Sequence, residues 1–471
     1  MSKSELILDS LVESEDQVSQ SSWIPLNKRE SLSTWHIVGI SCSMIGYGAS
    51  FSVMFALVSP ILYQLGFEQE AISFIWLAGP LSGFLVQPLI GYYSDRCKSK
   101  YGKRRPFILT GGAGSFLCFI VFNYIEQIGK IFGSNNKLMS KIIVVINMYV
   151  CNACVNILYG PSRAILNDLV PDSQQIKANS IASLMLGAIG VITNFVGGIK
   201  TVLPSSVNID NKKVTFTFGM IVIAFGTITT LICGQEEQMT EEPRGKNPII
   251  EVFRAFKDIP SPLFKISIVY FIAWIAYFPF LLLCTDYFGS DIFGGVADSK
   301  DPAKVALYNS GVSFGCLVLA VSYAIVLVYN PVQEKLIKWA GLRFAFALSQ
   351  IIEAIVLLSA LLVRNKYILM ALFSTLGMTC GVMNSIPYAI LGLSVNKDRM
   401  GVYMGVLNIF VVVAQQFSSF LLGTFLYKIL PVQYKSKGAI IASGSLFAVI
   451  AAVACKWIEV PNEDNKFESF E

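Results

Sequence analysis

Charge is scarce in this chain. Only 14% of its 471 residues are charged, against about a quarter in a soluble domain, while 54% are hydrophobic. One apolar segment follows another for nearly the whole length, which excludes an ordinary soluble fold and identifies a polytopic membrane protein embedded in a lipid bilayer. The net charge of +5 is spread over loops and gives no support for nucleic-acid binding. Histidine is nearly absent: His36, the single one, lies at the interface where the first apolar segment begins and receives no role. There is no HExxH, no paired Cys/His cluster and no P-loop, so metal hydrolysis and nucleotide chemistry lack their parts and an enzyme is not expected. Residues 1–30 lack the charged-then-apolar pattern of a signal peptide, so the first apolar segment serves as the insertion signal. No N-x-S/T acceptor occurs. Of the ten cysteines, Cys151 and Cys154 have metal-like spacing, but no second pair accompanies them. They read as small apolar residues of a lipid-embedded helix, and no metal or organic cofactor is expected.

Twelve apolar segments are present. They fall in 36–64, 71–93, 107–128, 142–166, 178–199 and 215–234, then in 263–285, 310–329, 343–363, 367–393, 402–427 and 438–457. Each can cross about 30 Å of hydrocarbon as a helix rising about 1.5 Å per residue. The longest polar interruption separates the two sixes. The expected architecture is an all-α polytopic membrane protein, with twelve transmembrane helices in two six-helix halves. The expected parts are an N-terminal tail (1–35), a first half (36–234), a linker (235–262), a second half (263–457) and a C-terminal tail (458–471). A short surface helix is expected over 249–256. Orientation rests on the loop SDRCKSKYGKRRP, with six basic residues, which the positive-inside tendency places in the cytoplasm. An even number of spans then puts both termini there.

The fourth segment raises a sharper question. It ends YGPSRAILNDLV, with Arg163 and Asp168 in an otherwise lipid-compatible run. At about 100° per residue, Asn152, Asn156, Tyr159 and Asn167 all lie within about 40° of Arg163. Such a stripe must face other helices or a water-filled path. Neutral donors and acceptors beside a fixed guanidinium fork suit a ligand rich in hydroxyls. Asp168 points about 140° away, so it is no simple intrahelical partner of Arg163. Either it pairs with another helix or it titrates. Glu353, in the middle of the ninth segment, is a possible intramembrane acid. Thr285 and Asp286 follow the aromatics of the seventh segment, and Asn408, Gln415 and Gln416 add polar groups to the eleventh. Asp95, Arg96, Lys103 and Arg104 of the basic loop read as a conformational latch between span ends.

These pieces together resemble the sucrose–proton symporters, in the glycoside–pentoside–hexuronide group of the major facilitator superfamily. WLAGPLSGFLVQPLIGYYSDRCKSKYGKRRPF is similar to that family's second span and loop. GPSRAILNDL, WIAYFPFLLLCTD, SIPYAI and GVYMGVLNIFVVVAQQ follow in family order, over about residues 35 to 457. The resemblance implies the major facilitator fold, alternating access, and proton-coupled symport of a disaccharide or glycoside, sucrose first. Maltose or another glycoside, or a sugar sensor with little flux, are the alternatives. The short linker and tails favour transport over sensing. The resemblance places the family's span-four arginine and coupling aspartate on Arg163 and Asp168. The aspartate after the span-seven aromatics falls on Asp286, and the basic residue that begins span five on Lys177. It implies a monomer in a plasma or vacuolar membrane, with protons as the coupling ion. There are departures. Ser313 and Phe314 stand where plant members carry a basic and an acidic residue, and Cys284 stands where they have an extra acid. The change at Ser313 is expected to leave the coupling site with less positive charge.

Overall fold

The computed structural model describes residues 24–133, 136–203, 210–238, 254, 256–395, 400–431 and 436–460. Among them are twelve helices long and apolar enough to cross a membrane. In chain order they are α1 (Thr34–Gln64), α2 (Gln69–Asp95), α3 (Arg105–Asn123), α4 (Asn136–Leu169), α5 (Lys177–Val202) and α6 (Asn211–Cys233). The second set is α7 (Ser261–Ile292), α8 (Pro302–Ala340), α9 (Leu342–Leu362), α10 (Lys366–Ser394), α11 (Val402–Ile429) and α12 (Lys437–Trp457). The surface helix expected over 249–256 lies, except for Arg254 and Phe256, outside the described residues.

A helix satisfies its own backbone polar groups, which is why spanning segments in lipid take this form. Polar residues at the ends fix where each helix begins. The Ser33 hydroxyl accepts from the His36 amide at the start of α1. The Asp301 carboxylate caps α8 through the Ala303 amide, with Pro302 in the first turn. Ser436 caps α12 through the Ala439 amide. Prolines inside the helices, such as Pro161 and Pro279, remove a backbone donor each. A π-helical turn over Phe288–Ile292 ends α7.

In the first half α1 packs on α6 and α5, and α4 packs on α3 and α2. In the second half α12 packs on α9 and α7, and α8 on α10. The halves meet where α5 faces α8, α1 faces α7 and α2 faces α11. Burial ranks these helices: 78% of the apolar window of α1 and 83% of that of α7 are buried, against 29% for α2. So α1 and α7 form the centre, and the exposed apolar side chains of the outer helices, such as Leu117, Ile221 and Val328, supply the lipid face. Close approach needs small residues. At Gly111 of α3 an added Cβ would collide with the backbone at Leu158 of α4.

The bundle has two ends. One carries the α2–α3 loop and is called the basic end; the other carries the α1–α2 and α7–α8 connections and is called the opposite end. Polar contacts between the halves gather at the opposite end. The Thr285 hydroxyl of α7 donates to the Ala56 carbonyl of α1 at 2.8 Å. Gln64 donates to Asn309 at 2.9 Å, and Lys137 pairs with Asp298 at 2.8 Å. Toward the basic end the halves part. Gly198, Gly190 and Gly187 of α5 lie against Leu317, Tyr323 and Leu327 of α8 in turn. Beyond Leu327 the two helices diverge around a cleft of about 600 Å³, lined by Gln175, Asn179, Ser183 and Asn330 among others. Leu184 stands 61% exposed there, which marks the opening.

Candidate functional site

The polar stripe of α4 turns toward the seam. The Asn152 amide donates to the Met148 carbonyl, and that of Asn156 to the Asn152 carbonyl, each at 2.8 Å. The Asn156 side-chain oxygen accepts from Gln87 of α2 at 2.7 Å. One turn on, the Tyr159 ring stacks on Tyr47 of α1, with centroids 4.3 Å apart. The Arg163 guanidinium lies 5.8 Å from the centre of the Tyr159 ring. It also interacts electrostatically with Tyr47 and with Tyr388 of α10. Tyr388 in turn interacts with Tyr270 of α7, whose ring meets Trp274 edge-on at 6.2 Å. The result is a band of rings around one guanidinium, running from α1 and α4 across the seam to α10 and α7.

This band holds donors in search of acceptors. Among the described residues, Arg163 Nε and Trp274 Nε1 are buried and make no hydrogen bond of ordinary geometry, although Trp274 interacts with the Tyr270 hydroxyl. Gln416 Nε2 on α11 is in the same condition. Buried polar groups are normally paired, because leaving one unmade costs about 1–3 kcal/mol. Unpaired donors on three helices of two halves are therefore places for ligand acceptors. Aromatic faces with a few fixed donors define an orienting site for a neutral polyhydroxylated molecule. Asn408 and Gln415 sit half-buried on α11, the helix that meets α2. Gln416 was grouped with them in the sequence reading, and it carries the unpaired donor.

The structure does not bring Asp168 to Arg163. Asp168 is one residue from the end of α4, and its carboxylate accepts from Arg104 Nε at 3.0 Å and pairs with Lys103 Nζ at 3.0 Å. Arg104, 7% exposed, also pairs with Asp95 and donates to the Ser94 hydroxyl. Arg96 lies over the Tyr92 ring at 3.7 Å. Of the two readings left open for Asp168, pairing outside its own helix is the one observed here. The described ion pairs of Asp95, Lys103 and Arg104 fall within the first half. A residue that the sequence reading missed completes the group. The Glu236 carboxylate, just past α6, accepts from the backbone amides of Arg104 at 2.9 Å and Arg105 at 3.0 Å. Desolvation raises its pKa above the ordinary carboxylate range, against the two amides that lower it. Gly102 takes a φ of +101°, and a Cβ there would strike Glu236, so the loop needs glycine at that point.

The remaining acids are sealed. Asp286, with 0% exposure, accepts from the Tyr308 hydroxyl, and its second oxygen has no hydrogen-bond partner among the described residues. Glu353, also at 0% exposure, has Gln350, about one turn away, as its polar neighbour. Lys177 donates to Thr34 on the exposed surface. Ser313 corrects an expectation. It is 3% exposed, accepts from Asn211 at 2.9 Å and donates to the Asn309 carbonyl, at the opposite end from Asp168. A cation at this position would therefore not stand beside Asp168. The helical pattern gives the direction of a side chain but not the level at which two spans meet.

Two six-helix halves, in polar contact at one end and parted toward the other by a cleft between α5 and α8, have the layout of a membrane transporter. The chain belongs to the Major Facilitator Superfamily, whose profile matches residues 39–410. It is an integral membrane protein and not an enzyme. It is 29% identical over 423 residues to the sucrose transport protein SUC4 of Arabidopsis thaliana, covering 80% of this chain and 81% of that one. It is 27% identical over 439 residues to the sucrose transport protein SUT1 of Oryza sativa subsp. japonica, covering 82% and 80%. Among solved structures, the nucleoside transporter NupG superposes with a TM-score of 0.62 at 11% identity, covering 90% of this chain and 99% of that one. An inward-facing bacterial homologue of the iron transporter ferroportin superposes with a TM-score of 0.63 at 12% identity, covering 91% and 100%. At such identities these structures speak for the fold alone.

Proposed function

We propose that this protein carries a disaccharide or glycoside, sucrose first, together with protons by alternating access. The observation that carries the reading is the Arg163 band: aromatic faces and unpaired donors from both halves, in the relatives' company of sucrose transport proteins. Aromatic rings cover the apolar faces of a sugar, and the guanidinium fork orients its hydroxyls. On this reading the basic loop and both termini are cytoplasmic, and the cleft between α5 and α8 faces inward. The membrane is the plasma or vacuolar membrane.

A proton moving inward gains about 2.3 kcal/mol per 100 mV of membrane potential, enough for roughly fiftyfold accumulation of a neutral sugar. Asp168 remains our candidate for the proton. In this state two cations hold it, so adding a proton removes the charge that anchors Arg104 and Lys103. Proton uptake would then loosen the loop that ties α2 and α3 to the end of α4. Asp168→Asn keeps the size and cannot ionise. Labelled-sucrose uptake at two external pH values should show accumulation in the parent protein and only equilibration in the variant. A variant that still concentrates sugar with the parent's pH dependence would leave Asp168 as a structural anchor and move the coupling elsewhere.

A further inference from the structure

One lysine at the opposite end has contacts that neither the fold nor the sugar band requires. Lys437 is the first residue of α12, in the second half. Its ammonium lies 3.3 Å from the centre of the Tyr63 ring of α1 and donates to the Gln69 side chain of α2 at 3.1 Å. Both partners belong to the first half, and they are joined to each other, since the Tyr63 hydroxyl donates to the same Gln69 oxygen. On its own side Lys437 interacts electrostatically with Asp286 and Asp291 of α7. Asp291 is fixed by the Gly438 amide at 2.9 Å and the Ser290 hydroxyl at 2.7 Å, and Asp286 by Tyr308 of α8. Tyr427 of α11 also faces Asp291. The second half thus holds one cation against two carboxylates and presents it to a ring and an amide of the first half.

We propose that Lys437 is a gate residue of the opposite end, with Tyr63 and Gln69 as its seat. The proposal rests on the alternating-access reading above. The two sets of contacts have different fates when the opposite end opens. Asp286 and Asp291 travel with Lys437, because all three belong to the same half. Tyr63 and Gln69 move away. Opening therefore leaves the ammonium in the field of the two carboxylates and gives up only the ring and the amide. Such an arrangement lets a charge work at the seam without being stranded in a low-dielectric place at any stage. A cation over an aromatic face is stronger the less water reaches it, and Lys437 and Tyr63 are both half-buried here. Leucine at position 63 would remove the ring and keep the apolar filling. Methionine at position 437 would remove the cation and leave two acids without one.

The test follows the separation of the halves. Lys130 and Lys300 are exposed at the opposite end, one in each half. Spin labels introduced there as genetically encoded amino acids leave the ten native cysteines in place. Distance distributions are recorded on the full-length protein in lipid, with and without sucrose, for the parent, Tyr63→Leu, Lys437→Met and the double variant. The ratio of long to short distances should rise about tenfold in Tyr63→Leu, the scale of one desolvated cation–aromatic contact. Lys437→Met should rise at least as much, and the double variant should add little, because the two changes remove one contact. The proposal is overturned if Tyr63→Leu keeps the parent's distribution while sucrose still shifts it. It is also overturned if the effects of the two single variants simply add. If Lys437→Met does not reach the membrane, Tyr63→Leu decides alone. A parent protein whose distances ignore every sugar tried would instead count against the carrier reading, which keeps the two failures apart.

Discussion

The two ends of this bundle use charge in opposite ways. At the basic end Asp95, Lys103, Arg104, Asp168 and Glu236 bond to one another or to the loop backbone inside the first half. At the opposite end Lys437 reaches from the second half to the first. Charges that close within one half set its shape and survive a relative movement of the halves. A charge that crosses the seam registers whether the seam is closed. In the observed state the crossing contacts are made and α5 and α8 part toward the basic end, so under the proposed alternating access the opposite end is the one that has to release.

Breaking the basic end should have the largest effect on stability. Arg104 is buried and serves two carboxylates, so Arg104→Leu takes from Asp95 its described partner and leaves Asp168 with Lys103 alone. Removing one partner of a buried pair costs about 3–5 kcal/mol, and the partial exposure of both acids brings this toward about 3 kcal/mol. The detergent-solubilised variant should show a clear fall in melting temperature. An unchanged melting curve would make the charge group ornamental. Arg163→Lys sharpens the comparison from the middle of the bundle. It replaces a fork by a point charge and should weaken apparent sugar affinity roughly ten- to a hundredfold, the scale of hydrogen bonds to a charged group. Because Arg163 touches the seam band rather than either end, melting temperature without sugar should stay near the parent's. Equal affinity in the variant would move Arg163 to a structural role.

How much of this was legible beforehand depended on distance along the chain. The twelve spans stand out because each is a local run of apolar residues, and the Arg163 stripe because it repeats on one helix. The partners of Asp168 did not, although the level could have been suspected: Asp168 is the penultimate residue of α4, while Arg163 is more than a turn further in. Lys437 and Gln69 are 368 residues apart, and no periodicity connects them. Glu236 looked like linker polarity, since an acid that accepts from backbone amides is recognised only once the loop has its shape. The same limit misplaced Ser313, where a pattern match gave the span but not the depth.

The smallest expected effect concerns Glu236. Its folded-state pKa lies above the ordinary glutamate value because burial disfavours the charge. The folded protein then binds that proton more tightly than the unfolded chain. The contribution of Glu236 to stability is therefore greatest at acid pH and falls as pH rises from the ordinary glutamate range through the folded value. Glu236→Gln can still accept from the Arg104 and Arg105 amides through its carbonyl oxygen. It should keep the parent's stability near the acid side and flatten the decline above it. Melting temperatures across that window check the sign, and a steeper decline in the variant would reverse the assignment.

The central claim is that the seam band is a sugar site opened alternately to the two ends, and that protons drive it. Purified protein in sealed lipid vesicles, acidified outside, tests this with labelled sucrose and a panel of other disaccharides. The account predicts concentrative uptake of at least one of them, collapsed by a protonophore and strongly reduced in Arg163→Lys at limiting sugar. Sugar binding by the parent protein without flux, or flux that only equilibrates whatever the proton gradient, would contradict it.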